Sequence, residues 1–250
     1  MKAVVLAAGR GDRLRPLTDR LPKVMLEFDG RPLLAHSLEQ LRRHGLREVA
    51  INLHHLPEAI VRYFGDGERW GMRIHYSYEA ELLGTAGTLR NLEAFLGREP
   101  FFLLYGDNVT DCDLSRLARF HRNRAAIATV AVCWLENPCS CGIVEIDASD
   151  RIVRYQEKPR PEDVFSHYIN AGVYCFEPEI GRYLSDPPAS DLSLHVLPRL
   201  LKDRAAVLAY RYGGYVLKFD SFEDWEISQN VLAERRRAGR RRKVQSVSKA

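Results

Sequence analysis

The first thirty residues constrain the fold of this chain more than any other stretch. An apolar run, Ala3 to Ala8, ends in the small-residue turn Ala7-Ala8-Gly9-Arg10-Gly11. A short apolar run closed by glycines predicts a buried strand of a parallel sheet, and the glycines let backbone N–H groups approach an anion. Arg13, Arg15 and Lys23 follow within the next dozen residues and supply charge for several phosphates. The sequence therefore predicts a nucleoside triphosphate as the ligand of this loop.

Two common phosphate-binding motifs do not fit this loop. A dinucleotide fingerprint requires a third glycine three residues after Gly11, where the chain has Leu14. A Walker-type loop requires Gly-Lys followed by Ser or Thr after four intervening residues, and that sequence is absent. Because Gly-x-Gly alone is weak evidence, the interpretation depends on the longer pattern from Leu6 to Met25.

The composition is typical of a globular enzyme of the cytoplasm. The chain has 250 residues, 46% of them hydrophobic and 28% charged, which is enough for one large core. It contains no apolar stretch near the ~20 residues that a membrane helix needs, and its N-terminal apolar run is too short for a signal peptide. Its five scattered cysteines favour reduced thiols over a disulfide framework. We therefore expect a cytoplasmic protein with no membrane partner.

The strongest charge run lies near the C-terminus. Residues 235–243 carry seven cations and no acid, and such runs are usually solvated helix ends. No aromatic residues interleave to stack on bases, so nucleic acid is not the expected partner. A salt-dependent nucleic-acid binder is nevertheless a rival interpretation that rests on this run. The sequence predicts a flexible basic tail over residues 235–250.

Strand and helix signals alternate in the first half of the chain. Beyond the first strand, the pattern predicts strands over 48–53, 73–78 and 101–105, and helices over 33–44, 58–64 and 84–96. This order predicts an α/β fold with a doubly wound, mostly parallel sheet.

The second half, from residue 126, consists mostly of strands. The predicted strands span 126–133, 142–146, 151–156, 168–176, 206–211 and 215–219. A turn-like Ala148-Ser149-Asp150 predicts a hairpin over 142–156; the predicted helices span 179–184, 193–202 and 223–237. We expect one domain over residues 1–234, with one half over residues 1–125 and the other over residues 126–234.

The N-terminal pattern closely resembles the signature of the sugar-phosphate nucleotidyltransferases, or NDP-sugar pyrophosphorylases. It reads Leu6-Ala7-Ala8-Gly9-x-Gly11-x-Arg13-Leu14-Arg15-Pro16-Leu17-Thr18, followed by Pro22-Lys23-x-Met25. Further matches extend from residue 3 to about residue 230. The resemblance implies the nucleotide-diphospho-sugar transferase fold: a Rossmann-like, doubly wound sheet with a small antiparallel sheet on the sugar side. It also implies transfer of a nucleoside monophosphate from an NTP to a sugar 1-phosphate, with release of pyrophosphate. Residues 1–125 would then form a nucleotide-binding half, and residues 126–234 a sugar-binding half.

The resemblance implies a role for particular residues, with Arg13, Lys23 and Asp107 as the catalytic set. The nucleotide would be held by the signature loop and by the Gly84-Thr85-Ala86-Gly87 segment, through Leu6, Ala8, Gly9, Gly11, Arg13, Lys23, Gly84 and Gly87. The sugar phosphate would be held through Gly142, Glu157, Lys158 and Asn170. The chemistry needs no general base, so His54 and His55 are expected to be ordinary loop residues.

Mg²⁺ is the implied cofactor, and one of its two ligands is ambiguous. Asp107 matches the Gly-Asp pair that holds the ion in the family, although an Asp after a strand also serves as a helix cap. Near the C-terminus an ungapped match puts Lys218 at the second ligand position, whereas one insertion and one deletion put Asp220 there. We prefer Asp220, because a carboxylate beside an ammonium would be a poor metal site.

The resemblance is strongest to mannose- or heptose-1-phosphate guanylyltransferases, on the run Leu83 to Arg90 and on Cys141-Gly142-Ile143-Val144-Glu145. GTP is therefore the expected nucleotide. Thymidylyl, cytidylyl and uridylyl transfer stay open, as do a homo-oligomeric state and a non-catalytic homologue that only binds nucleotide sugar.

Overall fold

The computed structural model describes residues 1–184 and 189–247, with side chains through residue 235 and at residue 237. The strands are β1 (Lys2–Leu6), β2 (Glu27–Phe28), β3 (Arg31–Pro32), β4 (Glu48–Leu53), β5 (Arg73–Tyr78), β6 (Phe101–Tyr105), β7 (Val109–Thr110), β8 (Ala128–Trp134), β9 (Gly142–Ile146), β10 (Ile152–Glu157), β11 (Tyr168–Phe176), β12 (Val207–Arg211) and β13 (Val216–Leu217). The α-helices are α1 (Leu33–Arg43), α2 (Pro57–Phe64), α3 (Gly84–Asn91), α4 (Glu93–Leu96), α5 (Leu114–Arg122), α6 (Leu197–Lys202) and α7 (Phe222–Val247).

Four parallel strands form the first half of the main sheet, in the order β5-β4-β1-β6. Successive side chains of a strand point to opposite faces, and both faces are covered. Val5 of β1 lies in a cluster with apolar residues of α1, α2 and α5, while Val4 lies in a second cluster with residues of α3, α4 and α6. Burial on both faces explains why the inner strands β1, β4 and β6 are mostly apolar, whereas the edge strand β5 alternates between buried and exposed residues. The doubly wound α/β fold is confirmed.

Antiparallel strands extend the same sheet beyond β6. Strand β11 runs antiparallel to β6, β8 and β9, and β12 then pairs with β8 in parallel. Strands β9 and β10 form the predicted hairpin, turned at Asp150 with its φ at +63°. Strands from residues 1–125 and from residues 126–234 thus share one nine-stranded sheet.

The loops of the candidate site meet at one edge of this sheet. Parallel strands β1, β4 and β6 end there, at Leu6, Leu53 and Tyr105. Strand β11 begins at the same edge, because it runs in the opposite direction. Ligands of open α/β sheets bind beyond the carboxyl ends of parallel strands, so the topology brings both sets of sequence motifs to one place.

The C-terminal helix is longer than the predicted helix over 223–237. Helix α7 runs from Phe222 to Val247, so the cationic run 235–243 lies within this helix, and the flexibility of the basic segment stays a prediction. The run lacks proline and consists mainly of Arg, which is a strong helix former. Residues 248–250 of the predicted tail lie outside the described residues. Among the helices of the described chain, none combines the length and apolar character needed to cross a membrane.

Helix α5 has no counterpart in the sequence prediction. Asp113 caps it, with its side chain accepting a hydrogen bond of 2.9 Å from the backbone N–H of Arg116. Asp107 does not cap this helix, since it lies between β6 and β7, six residues earlier in the chain. The alternative interpretation of Asp107 as a cap is therefore wrong for this helix.

Candidate active site

A buried hydrogen bond fixes the loop after β1. The backbone N–H of Ala7 donates to Oδ1 of Asn52 at 2.7 Å. Gly11 has φ at +67°, and a Cβ there would lie 2.9 Å from Thr18 and 3.0 Å from Lys23 Cβ. Glycine is required both for the backbone conformation and for the close approach of Lys23. Gly11 therefore lies on the side of the loop that packs against Thr18 and Lys23, whereas Gly9 lies on the side that faces the cavity.

Asn52 belongs to a polar network that sequence motifs did not reveal. Its Nδ2 donates to Oε1 of Glu79 and to Oγ1 of Thr88, each at 2.9 Å, and Thr88 also donates to Glu79 at 2.6 Å. All three side chains are buried. Buried polar groups with all their partners rigidify a structure, so this network ties the loop after β1 to helix α3.

The glycine-rich segment forms the start of α3 and packs on a distant loop. Gly84 has φ at +72°, and a Cβ there would lie 2.5 Å from the carbonyl oxygen of Ser190. The N–H groups of Ala86 and Gly87 donate to that oxygen at 2.8 and 3.2 Å. Gly84 lines the cavity, while Gly87 contacts Leu83 and Ser190 on the packed side. Gly87 therefore packs against Leu83 and Ser190, and its contact with the nucleotide stays a prediction.

A cavity of about 410 Å³ lies between the loop after β1 and the start of α3. Of the residues expected at the nucleotide, Leu6, Ala8, Gly9 and Gly84 line it. Thr85 and Tyr105, which belong to the sequence motifs, line it as well, and the structure adds residues outside every motif: Asn52, Glu79, Leu82, Ala189 and Asp191. Asp191 accepts a hydrogen bond from Thr85 Oγ1 at 2.9 Å. The volume of this cavity, and its mostly apolar lining with a few polar groups, suit a small organic ligand.

Lys23 lies between two carboxylates at one end of this cavity. Its Nζ donates to Oδ2 of Asp107 and to Oδ1 of Asp220, each at 2.6 Å, and Arg13 lies 3.4 Å from Asp220. Lys23 is only 6% exposed. Burial alone lowers the pKa of Lys23, but the two carboxylates outweigh it and the pKa is raised. Lys23 is therefore a fixed positive charge at neutral pH.

The two carboxylates fit a magnesium site. Oxygens of Asp107 and Asp220 already converge on one cationic group, and carboxylate oxygens together with phosphate oxygens are the ligands that Mg²⁺ prefers. No set of three or more His, Cys, Asp or Glu side chains suitable for a metal occurs among the described residues. The remaining ligands of an ion here would have to come from substrate phosphates and water.

Lys218, the competing choice for the second ligand position, points elsewhere. Its Nζ donates to the hydroxyl and the carbonyl of Ser140, at 2.8 and 3.2 Å. The pKa of Asp220 responds to burial, which raises it, and to Lys23, Arg13 and Lys218, which together lower it below the ordinary value. The geometry therefore brings Asp220, rather than Lys218, to Asp107.

A second cavity, of about 200 Å³, adjoins the first and holds the residues expected at the sugar phosphate. The two cavities share Tyr105 and Asp107. The second is lined by Arg13, Tyr105, Asp107, Asn108, Ser140, Cys141, Gly142, Glu157, Lys158, Asn170, Ser193, Lys218 and Asp220. All four residues predicted for the acceptor thus come together beside the catalytic set.

Several charged residues near the motifs lie outside both cavities. Arg15 pairs with Asp12 at 2.8 Å and with Asp19 at 3.4 Å. His54 and His55 donate to backbone carbonyls, at 2.9 and 2.7 Å, as expected for loop residues. Among the cations of the signature, Arg13 lines the second cavity, and Lys23 lies buried behind Asp107 and Asp220, which it contacts.

A larger cavity, of about 660 Å³, opens at the opposite edge of the sheet, where β8 begins and β11 ends. Its lining mixes arginines with acidic side chains, including Arg182, Arg199, Glu177 and Asp203. None of the sequence motifs contributes to it. The chemistry of the chain is therefore concentrated at the edge that holds the two smaller cavities.

Several known proteins are similar in sequence to this chain over most of its length. One relative is a UTP–glucose-1-phosphate uridylyltransferase of Synechocystis, 38% identical over 217 residues, covering 80% of this chain and 55% of the relative. A mannose-1-phosphate guanylyltransferase catalytic subunit beta of Danio rerio is 38% identical over 195 residues, covering 76% and 53%. The chain therefore spans little more than half the length of these relatives.

Solved structures share the fold at low sequence identity. UDP-glucose pyrophosphorylase complexed with UDP-glucose has a TM-score of 0.80 at 21% identity, covering 94% of this chain and 98% of that one. HddC from Yersinia pseudotuberculosis complexed with GMP-PN has a TM-score of 0.78 at 21% identity, covering 92% and 99%. The family model "Nucleotidyl transferase" matches residues 2–225. The chain belongs to the nucleotidyl transferase family.

Proposed function

We propose that this chain transfers a nucleoside monophosphate from an NTP to a sugar 1-phosphate and releases pyrophosphate. The observation that carries the proposal is the meeting of two cavities at Asp107, with Lys23 and Arg13 beside it. One cavity is lined by the signature loop and the other by the predicted acceptor residues. Such a junction lets an α-phosphorus and an acceptor phosphate approach each other.

The reaction suits a site without a general base. A sugar 1-phosphate is largely dianionic at neutral pH, since its second pKa is near 6. One of its oxygens attacks the α-phosphorus, and the bond to the pyrophosphate oxygen breaks. The protein must bring anions together and stabilise the charge on the leaving pyrophosphate. We assign Arg13 and Lys23 to the triphosphate and Lys158 to the attacking phosphate.

We propose Mg²⁺ as the cofactor, held by Asp107 and Asp220. When bound, the ion would neutralise charge on the reacting phosphates. Lys23 lies 2.6 Å from both carboxylates, so its ammonium would have to shift as an ion enters. A triphosphate in the adjoining cavity offers that ammonium new anionic partners. Lys23 can thus contact phosphate while the carboxylates hold the ion.

For the finer specificity we propose GTP and a mannose- or heptose-like sugar 1-phosphate. Support comes from the sequence Leu83-Gly84-Thr85-Ala86-Gly87 and from relatives named as mannose-1-phosphate guanylyltransferases, including one of Aspergillus fumigatus at 34% identity. The Synechocystis relative, named as a uridylyltransferase, makes UTP with glucose 1-phosphate the second candidate.

We also propose a reducing, cytoplasmic location and no nucleic-acid partner. All five cysteines are present as free thiols, four of them buried. Burial raises the pKa of Cys133 to about 11 and that of Cys175 to about 12. Such thiols are structural rather than reactive.

The test is pyrophosphate release across a matrix of four NTPs and several sugar 1-phosphates, with Mg²⁺ or with EDTA. We expect release only with both substrates and a divalent ion, and the highest kcat/KM with GTP. A higher kcat/KM with UTP would overturn the base assignment alone. Binding of nucleotide sugar with no turnover of any pair would instead favour the non-catalytic homologue.

A further inference from the structure

Glu157 is held by a hydroxyl group in the floor of the acceptor cavity. Tyr155 Oη donates a hydrogen bond to Oε2 of Glu157. The two residues lie two positions apart on β10, so their side chains share one face of the strand. One carboxylate oxygen is thereby engaged by the protein, and Oε1 has no hydrogen-bond partner among the described residues.

Gly142 leaves the space that this contact needs. It lies directly opposite Glu157 in the β9–β10 pairing. A Cβ at this position would overlap the Tyr155 hydroxyl and would lie 2.8 Å from Oε2 of Glu157. The absence of a side chain at residue 142 therefore allows the tyrosine hydroxyl to reach the carboxylate.

Other hydroxyl groups hold the surrounding wall of the cavity. Tyr105 Oη lies 3.3 Å from Tyr174 Oη and 3.5 Å from Ser193 Oγ, and Asn170 Nδ2 donates to Tyr174 Oη. Burial raises the pKa of Tyr105 to about 12, and burial together with Glu157 raises that of Tyr155 further. These phenols stay protonated at working pH and remain hydrogen-bond donors.

We propose that Tyr155 is a positioning residue for sugar recognition: its hydroxyl fixes Glu157 so that Oε1 accepts one hydroxyl of the sugar 1-phosphate. The inference rests on the proposed function. A carboxylate that is held at one oxygen accepts a hydrogen bond at its other oxygen from a single hydroxyl in a defined direction. Without the tyrosine hydroxyl, Glu157 can rotate about its side-chain bonds, and the direction of its free oxygen is lost.

Tyr155→Phe removes one oxygen and keeps the ring. A hydrogen bond to a charged group is worth roughly tenfold in an equilibrium constant, so we expect the KM for the sugar 1-phosphate to rise about tenfold. The kcat and the KM for the NTP should change less than twofold. Tyr76→Phe is the matched control, because Tyr76 donates to the carbonyl of Gly65 far from both cavities and loses the same atom.

Two further comparisons separate positioning from a structural defect. In a Glu157→Ala background, Tyr155→Phe should have no added effect on KM, since the group that it positions is gone. The second comparison uses a panel of sugar 1-phosphates that each lack one hydroxyl. The analogue that lacks the hydroxyl bound by Glu157 should have the same KM with wild type and with Tyr155→Phe, and it thereby identifies that hydroxyl.

The outcomes distinguish this inference from the proposed function. An active wild type with an unchanged sugar KM in Tyr155→Phe overturns the role of Tyr155 and leaves the nucleotidyl transfer standing. An equal rise of KM in the Glu157→Ala background overturns it as well. A wild type inactive with every substrate pair contradicts the proposed function itself.

Discussion

At the scale of residues, the charges around Lys23 dominate the site. The sequence motifs located Lys23, Asp107 and the acceptor residues, because each belongs to a short recognisable pattern. They could not show that Lys23 contacts Asp220, which lies 197 positions away in the chain. Asn52 and Asp191 were missed for the same reason: they stand alone in the sequence, and only the fold brings them to the cavity.

Lys23→Ala and Lys158→Ala should fail in different ways. Loss of Lys23 should lower kcat by ~10²–10³, the usual effect of removing one well-placed electrostatic contact. It should also reduce the free energy of unfolding by about 3 kcal/mol, because it leaves two partly buried carboxylates facing each other. Lys158 is exposed, so its loss should raise the KM for the sugar phosphate and leave stability unchanged. Steady-state kinetics measure kcat and KM, and urea unfolding measures stability. Interchanged kinetic phenotypes would mean that the two phosphate sites are reversed.

Asp220→Asn tests the second metal ligand without changing side-chain size. In Asp220→Asn we expect both the affinity for Mn²⁺ and the kcat to fall by about 10². The affinity is measured by electron paramagnetic resonance in the presence of NTP. Lys218→Ala is the control, since Lys218 contacts Ser140 rather than Asp107, and its metal affinity should equal that of wild type. Wild-type metal affinity in Asp220→Asn, together with a crippled Lys218→Ala, would support the ungapped alignment instead.

The Asp220 carboxyl should also make stability depend on acid pH. Its pKa is lowered in the folded state, since Lys23, Arg13 and Lys218 outweigh the effect of burial. Its stabilising contribution is therefore present above the ordinary pKa of 3.8 and is lost as the pH falls through the lowered value. The difference in unfolding free energy between wild type and Asp220→Asn should be constant from about pH 5 to 8 and shrink below about pH 4. A difference that grows toward low pH would contradict this assignment.

At the scale of elements, apolar runs with clear turn boundaries were predicted most accurately. The bounds of β4, β5, β6, β9 and β11 agree with the sequence analysis, because each is a short β-rich segment closed by turn residues. Helix α5 was missed although Leu114, Leu117 and His121 lie on one buried face. Its nine residues carry four cationic or histidine side chains, which weaken the apolar pattern. The cap at Asp113 was the signal that could have found it.

Gly84→Ala tests how the start of α3 is held. The added Cβ would lie 2.5 Å from the Ser190 carbonyl, in a backbone with φ at +72°. We expect the free energy of unfolding to fall and the KM for the NTP to rise severalfold, because Gly84 and Asp191 line the same cavity. Gly45→Ala is the matched control: its φ is +78° with nothing within 4 Å, so it carries only the backbone strain of about 1–2 kcal/mol. Equal stability losses and equal NTP KM values in the two variants would contradict this packing role.

At the scale of the whole molecule, one sheet supports both cavities of the candidate site. Strand β6 contributes Tyr105 at its end and pairs with β1 on one side and β11 on the other. The nucleotide cavity lies beyond β1 and the acceptor cavity beyond β9 and β11, and Asp107 belongs to both. A continuous sheet cannot easily change the spacing of these cavities. The molecule therefore presents two ligands to each other at a fixed distance.

The most direct test of this account follows the α-phosphate of the NTP. Wild-type protein is incubated with Mg²⁺, a sugar 1-phosphate and GTP labelled with ³²P at the α position. The products are then separated and pyrophosphate is quantified. We expect the label in a nucleoside diphosphate sugar, with one pyrophosphate released for each molecule of sugar nucleotide formed. Asp107→Asn should abolish both products. Release of a labelled nucleoside mono- or diphosphate with no labelled sugar nucleotide, from GTP or from any other α-labelled NTP, would contradict the proposed transfer.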